Sequence, residues 1–209
     1  MIKNYLLFVV LIASCQLFSQ EAYLNTGKNF TKYYYKNSEL QSNPNLQRGS
    51  GNFYEIGLAG PFISDHFLYS FALTLNEFNA LGGSSANSYR WDTQYLGVKA
   101  GFAYSLFTED RTSKRNFNFS LNAGLSGMTI IYGKQEMDGV YYDLMHNKEF
   151  TGLVLESSLG FQIKYVIPNS GFLSVGYGFS QSINISNTTA EKISFINQQI
   201  RFGVHFPIK

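Results

Sequence analysis

Hydrophobic and polar residues alternate along most of this chain, and the alternation is clearest between Thr151 and Ile167. Successive side chains of a β-strand point to opposite faces, so a period of two predicts strands. One face of this run carries large apolar and aromatic groups, and the other carries charge, amide, hydroxyl and glycine. The run exceeds the roughly 5–6 residues of a globular strand and suffices for the roughly 9–11 that cross a bilayer at a tilt.

The same pattern predicts eight strands, and an even number is typical of bacterial membrane barrels. They cover a segment within Ala22–Lys32, then Asn52–Gly60, Phe67–Phe78, Thr93–Leu106, Asn116–Tyr132, Thr151–Ile167, Gly171–Ile185 and Ile193–Phe206.

The connections between these strands alternate in length. Barrels of the outer membrane have long external loops and short periplasmic turns, so we expect both termini in the periplasm. The longer set is Tyr34–Gly51, Asn79–Asp92, Gly133–Phe150 and the shorter Ser186–Lys192; the turns are Pro61–His66, Phe107–Arg115 and Pro168–Gly171.

Polar strand residues are predicted to face the interior of the barrel. An eight-stranded barrel is just wide enough for its own side chains, and a buried charge costs several kcal/mol unless it is paired. We therefore predict a plugged lumen with a polar network of Glu55, Lys99, Glu156, Gln162, Lys164 and Arg201. A soluble sandwich would show the same alternation with these residues facing water.

Aromatic residues cluster near both ends of the predicted strands, where membrane barrels carry interfacial girdles. The β-propensity of Tyr and Phe offers a second explanation. The lower group is Tyr69, Tyr104, Phe117, Tyr165, Phe172 and Phe206, and the upper group is Tyr33, Tyr34, Tyr54, Phe78 and Tyr132.

The first 19 residues predict a signal peptide, with a basic start at Met1–Asn4 and an apolar core at Tyr5–Ala13. Cleavage near Ser19 leaves one barrel domain at 20–209. The residues Ile12-Ala13-Ser14-Cys15 also resemble a lipobox, so Cys15, the only cysteine, is either lipidated or removed. With ordinary cleavage the mature chain has no disulfide.

Composition excludes some classes of function. The net charge is only +2, so nothing favours nucleic-acid binding. No second apolar run approaches the roughly 18 residues of a membrane helix. No nucleophile elbow, phosphate loop or zinc spacing is present, and we predict no catalytic residue, metal or cofactor.

His66 and His205 fall at the predicted periplasmic end. His146 lies near Glu136, Asp138, Asp143 and Glu149 in an external loop, where a weak cation site is conceivable.

The signal segment, the eight alternating strands, the paired loops and the closing strand Ile200–Phe206 resemble the small outer-membrane β-barrel family of Gram-negative bacteria, with OmpA-type and OmpX-type barrels. The chain departs from it by ending on Pro207-Ile208-Lys209. The resemblance implies an all-β, eight-stranded antiparallel up-and-down transmembrane barrel in the cell outer membrane, in contact with its lipids and inserted by the barrel assembly machinery.

The resemblance spans several functions, and the first hypothesis is a non-enzymatic one: envelope structure, or presentation of the Ser-, Asn-, Gly- and Tyr-containing external loops to an unknown external or envelope protein partner, including an accessory role in a secretion or surface complex. Two alternatives remain open at this point. One is a lipid A-modifying barrel enzyme, and the other is a soluble secreted β-barrel that binds an apolar ligand.

Overall fold

The computed structural model describes residues 20–36, 46–62, 64–83, 88–107, 116–148, 150–168, 170–185 and 192–208. The predicted signal peptide at 1–19, with Cys15, lies outside these ranges. No helix within the described ranges is long and apolar enough to cross a membrane. The strands are β1 (Glu21–Lys36), β2 (Leu46–Pro61), β3 (Phe67–Glu77), β4 (Ala80–Gly83), β5 (Ser88–Ser105), β6 (Phe117–Met137), β7 (Val140–Asp143), β8 (Val154–Ile167), β9 (Gly171–Asn184) and β10 (Lys192–Pro207).

Eight strands close into an antiparallel ring in the order β1, β2, β3, β5, β6, β8, β9 and β10, and β10 pairs with β1. The short β4 continues β3, since it pairs with the same two neighbours, β2 and β5. The short β7 folds back on the end of β6 as a hairpin. We call the end with this hairpin the upper end, and the end with the chain termini the lower end.

The strands are tilted from the barrel axis. A path that starts at Ala22 and passes from each residue to its paired partner on the next strand returns to β1 at Lys32. The return point is ten residues further along that strand. A shift of this size goes with a tilt of roughly 35–45°. A line of paired residues therefore climbs the axis by about one and a quarter residues per strand.

The outer surface is apolar and the interior is polar. Leu155, Phe161 and Ile163 on β8 are 39%, 41% and 43% exposed, whereas Glu156 and Lys164 on the same strand are only 7% and 4% exposed. A soluble sandwich would bury the first set and expose the second. The predicted eight-stranded antiparallel up-and-down transmembrane barrel is therefore confirmed.

A ring of outward polar side chains bounds the apolar belt at its upper edge. Below this ring the outward side chains are apolar or aromatic except Thr26, whose hydroxyl donates to the Phe53 carbonyl (3.2 Å). On β3 the belt runs from Phe67 to Leu75. These eight rises of about 3.3 Å cover about 20 Å along the axis at this tilt, somewhat less than the roughly 25 Å apolar band of a membrane barrel. After correction for the climb, the ring residues lie within about 10 Å of one level along the axis: Lys28, Asn52, Glu77, Gln94, Thr129, Ser157, Gln181 and Gln198.

The strands extend further at the upper end than the sequence predicts. Residues 46–51, 80–83, 88–92 and 133–137 were expected in loops but pair as strands, while β8 begins at Val154 and not at Thr151. Backbone pairing continues above the belt, where the outer face no longer has to be apolar. Strict alternation, the signal for strands, therefore fades there.

Candidate functional site: the interior of the barrel

A buried cluster of charged and polar groups lies at the lower end of the interior. Glu21 accepts hydrogen bonds from Lys164 Nζ (2.6 Å) and lies 3.0 Å from His205 Nδ1. The other ring nitrogen of His205 lies 2.9 Å from Ser174 Oγ, and the ring stacks on Tyr23 at a centroid distance of 5.5 Å. These groups come from β1, β8, β9 and β10, so the cluster joins half of the strands of the ring.

The order Ser174, His205, Glu21 matches that of a hydrolase triad, in which a histidine links a hydroxyl to a carboxylate. The environment differs from that of a catalytic triad in two respects. Ser174 is 5% exposed and does not line the neighbouring cavity, and Glu21 is already paired with Lys164. The arrangement stabilises three buried polar side chains, and the Ser174 hydroxyl lies away from the cavity.

The middle of the interior holds a second ion pair beside a small cavity. Lys99 Nζ donates to Glu55 at 2.8 Å, and Asn25 Nδ2 donates to the same carboxylate at 2.9 Å. Glu156 accepts a hydrogen bond from the hydroxyl of Ser180. The cavity has a volume of about 90 Å³ and is lined by these charges and by Arg201. It is large enough for a few water molecules, each of which takes about 30 Å³ in the liquid.

Arg201 occupies space that two glycines leave open. A Cβ at Gly160 would lie 2.8 Å from Arg201 Nη2, and one at Gly178 would lie 3.6 Å from it. Within the described residues, Arg201 Nε has no hydrogen-bond partner. The guanidinium therefore lies against bare backbone on β8 and β9 and faces the cavity.

A layer of amide side chains closes the cavity from above, with Asn29 at its centre. Asn29 Oδ1 accepts hydrogen bonds from Asn197 (3.1 Å) and Gln199 (2.9 Å), and its Nδ2 donates to Asn76 (3.3 Å). Thr31 donates to Asn197 at 3.3 Å. Asn29 and Thr31 are fully buried, so these side chains fill the centre of the interior at this level.

Above the amide layer the interior is aromatic and apolar. Phe78 and Phe195 are 4.3 Å apart between ring centroids, and Trp91 meets Tyr33 and Phe150 edge-on at 5.5 and 5.1 Å. We call this cluster the aromatic plug. Its residues are Tyr33, Leu46, Phe78, Ala80, Trp91, Tyr95, Met128, Ile130, Leu144, Phe150, Val154, Ile193 and Phe195.

The six residues predicted to form a lumen network all lie inside the barrel, but they do not pair only with one another. Glu55 and Lys99 form an ion pair. Lys164 instead pairs with Glu21, and Gln162 contacts His205 at 3.2 Å. Sequence alternation assigns a side chain to the interior but does not say which strand it faces across the lumen.

Several interior residues were missed or misplaced by the sequence analysis. Glu21 was missed because the first strand was the least certain. Tyr33, Phe78 and Phe172 were expected in the girdles but point inward and are 1%, 0% and 6% exposed. Tyr33 is an even number of residues from Asn29 and Thr31, and Phe172 is two residues from Ser174. The alternation along each strand therefore already places these aromatic side chains on the inward face. The other expected girdle residues lie on the outer surface.

His146 lies outside the barrel, in the segment after β7. Its Nδ1 is 2.7 Å from Asp143, and both side chains are exposed. The backbone N–H of Met145 and the neighbouring His146 hold the pKa of Asp143 below its usual value. Among the described residues no three His, Cys, Asp or Glu side chains could hold a metal ion together. Glu149, which completed the conceivable cation site, lies outside the described residues.

Comparison with known proteins gives likeness of fold at low sequence identity. No family model matches, and no curated protein matches. Among solved structures, Neisserial surface protein A is 14% identical, with 88% of this chain and 96% of that chain covered and a TM-score of 0.47. The outer membrane protein OprG of Pseudomonas aeruginosa is 11% identical (91% and 98% covered, TM-score 0.49). The outer membrane protease OmpT of Escherichia coli is 8% identical (91% and 97% covered, TM-score 0.46).

Proposed function

We propose that this chain is a non-enzymatic protein of the outer membrane, with a sealed lumen, that presents its upper end to a partner outside the cell. The observation that carries the proposal is the change of the interior along the axis. Within the apolar belt the interior is polar; at the upper end the aromatic plug replaces it. The lower part is suited to lipid, and the upper part is a rigid, capped platform suited to contacts with protein.

The β6–β7 hairpin is the part of this platform best suited to binding. Tyr141 and Tyr142 are 57% and 46% exposed, Val140 is 53% exposed, and Met145 just after β7 is 39% exposed. Lys134 Nζ lies 3.4 Å from the centroid of the Tyr141 ring, which fixes that ring in place. Tyr and Met are enriched at protein interfaces, where rigid aromatic side chains supply most of the binding energy.

Two observations support the absence of enzymatic activity. The Ser174 hydroxyl beside His205 is buried away from the cavity. Among the described residues, the recorded partner of His146 is a carboxylate and not a hydroxyl that it could activate. A lipid A assay of His146→Ala tests this part, and loss of a lipid-modifying activity in that variant would contradict it.

Site-specific photocrosslinking in whole cells tests the partner. A benzophenone side chain is placed at Tyr142 on the hairpin, or at Tyr104 in the lower belt as a control with similar exposure, 46% against 41%. We expect a discrete adduct from position 142 and lipid adducts only from position 104. No adduct at 142, or the same protein adduct at both positions, contradicts the proposal.

A matched variant shows whether the hairpin itself is responsible. Gly139 has φ of +80°, a conformation that side chains with a branched Cβ rarely adopt, and a Cβ there would touch nothing within 4 Å. Gly139→Val therefore strains only the turn, by about 1–2 kcal/mol. We expect the adduct at 142 to weaken while the barrel remains resistant to unfolding by detergent at room temperature.

A further inference from the structure

The middle of the interior carries more positive than negative charge at one level. The pairing register, corrected for the climb of the strands, places the backbones of Glu55, Lys99 and Arg201 within roughly 5 Å of one level along the axis. The other two carboxylates of the cavity lining, Glu21 and Glu156, lie about 10 Å below and about 10 Å above that level. Within the described residues, one carboxylate therefore faces two cations there.

Arg201 is the cation at this level that lacks an acceptor. The Glu55 carboxylate already accepts hydrogen bonds from Lys99 at 2.8 Å and from Asn25 at 2.9 Å. Within the described residues, Arg201 Nε and the hydroxyl oxygen of Thr74 are both buried and have no hydrogen-bond partner. Both side chains line the cavity, and Thr74 is paired with Glu55 in the sheet. Buried polar groups are nearly always hydrogen-bonded, so these two donors point to a bound molecule.

We propose that the cavity is a binding site for a small oxyanion, a carboxylate or a phosphate. The planar guanidinium of Arg201 presents N–H donors in a fork that matches two oxygens of such an anion. The Thr74 hydroxyl supplies a further donor, and Lys99 supplies positive charge at the same level. The volume of about 90 Å³ corresponds to roughly three waters of about 30 Å³ each, which acetate or phosphate would replace. The inference does not depend on the external partner proposed above.

The lower end gives access to this site. The lining of the cavity continues to that end along β3 and β5, where the inward side chains are small: Ser70, Gly101 and Ala103. Ser70 and Ala103 are partly exposed, although they face the interior. The amide layer around Asn29 lies above the cavity. An oxyanion therefore enters from the lower end, where we expect the periplasm.

Isothermal titration calorimetry of the folded barrel in detergent tests the site, with inorganic phosphate and acetate as separate titrants. Arg201→Gln removes the guanidinium from the cavity, and Arg90→Gln is the matched control, since that side chain is 57% exposed at the upper end. We expect Arg201→Gln to weaken binding about tenfold or more, because charge-assisted hydrogen bonds are lost. Arg90→Gln should change the affinity by less than about twofold. The titrant that binds more tightly identifies the source as a carboxylate or a phosphate.

Two further measurements do not depend on the folding of Arg201→Gln, which heat-modifiable migration on a detergent gel reports. Thr74→Val removes a hydroxyl that has no partner among the described residues, so we expect binding about threefold weaker with no loss of stability. Phenyl phosphate carries the same anionic group but exceeds the cavity, and the wild type should bind it about tenfold more weakly than phosphate. No saturable binding of either titrant, unchanged affinity in a folded Arg201→Gln, or equal binding of phenyl phosphate overturns the proposal.

Discussion

Charged residues inside the barrel are stabilised by partners on strands far away in the sequence. Lys164 pairs with Glu21 at 2.6 Å, with side chains only 5% and 11% exposed, and Lys99 pairs with Glu55 at 2.8 Å. A narrow lumen surrounded by lipid offers such charges little water. Each pair therefore links strands that are not neighbours in the ring, and removal of one partner leaves the other buried without compensation.

Lys164→Met is expected to destabilise the barrel by about 3 kcal/mol, because it leaves Glu21 as a buried, partly compensated carboxylate. The measurement is the free energy of unfolding in urea with lipid vesicles present. His205 remains beside Glu21 and limits the loss.

Two companion variants test the cause of that loss. Glu21→Gln combined with Lys164→Met removes both charges, and it should recover more than half of the lost stability. Lys28→Met removes an exposed lysine of the polar ring and is expected to change stability by less than about 0.5 kcal/mol. Equal losses in Lys164→Met and in the double variant would show that the ion pair is not the cause.

At the scale of strands, the alternation of apolar and polar residues predicts most of the fold. All eight strands of the ring were predicted, since a membrane barrel requires strict alternation within its belt. Above the belt the requirement ends, and the extensions of β5 and β6 were taken for loops. The dipeptide Asp138-Gly139 is typical of a two-residue hairpin turn, and in the structure Met137 pairs with Val140 across it and both turn residues have positive φ.

The position of the plug could not be predicted from alternation. The alternation along the strand assigns Tyr33 and Phe78 to the interior, but it does not give the height of an inward side chain or the inward side chains of other strands that it contacts. The contact between Phe78, which follows β3, and Phe195 also depends on the closure of the ring, which places β10 three strands from β3. Neither fact is contained in a local stretch of sequence.

The direction of the strands across the membrane gives a prediction at the same scale. Both termini and the lower turns belong to one end, and we expect that end in the periplasm because the longer segments belong to the other. A membrane-impermeant maleimide added to intact cells should label Met145→Cys at the upper end and leave Asp65→Cys at the lower end unlabelled. Permeabilised cells, in which both sites should react, supply the control; the reverse pattern in intact cells would mean that the barrel is inverted.

At the scale of the whole molecule, two layers of different chemistry fill the lumen within the described residues. The amide layer around Asn29 fills it with hydrogen-bonded side chains, and the aromatic plug fills it with packed rings. The plug also carries stability, since each large apolar side chain buried from water contributes about 1.5–3 kcal/mol. The barrel therefore forms its hydrophobic core inside its upper end and uses lipid as the apolar surrounding at its lower end.

Because the two closures are independent, we expect removal of either one to leave the barrel non-conducting. In planar bilayers the wild type and Phe195→Gly should show no steady current, since the amide layer remains intact in that variant. Asn29→Gly alone should also stay closed, because the plug above it is unchanged. The combination of both changes removes the centre of each layer and is expected to give a resolved ohmic conductance; a steady current through the wild type would show instead that neither layer seals the lumen.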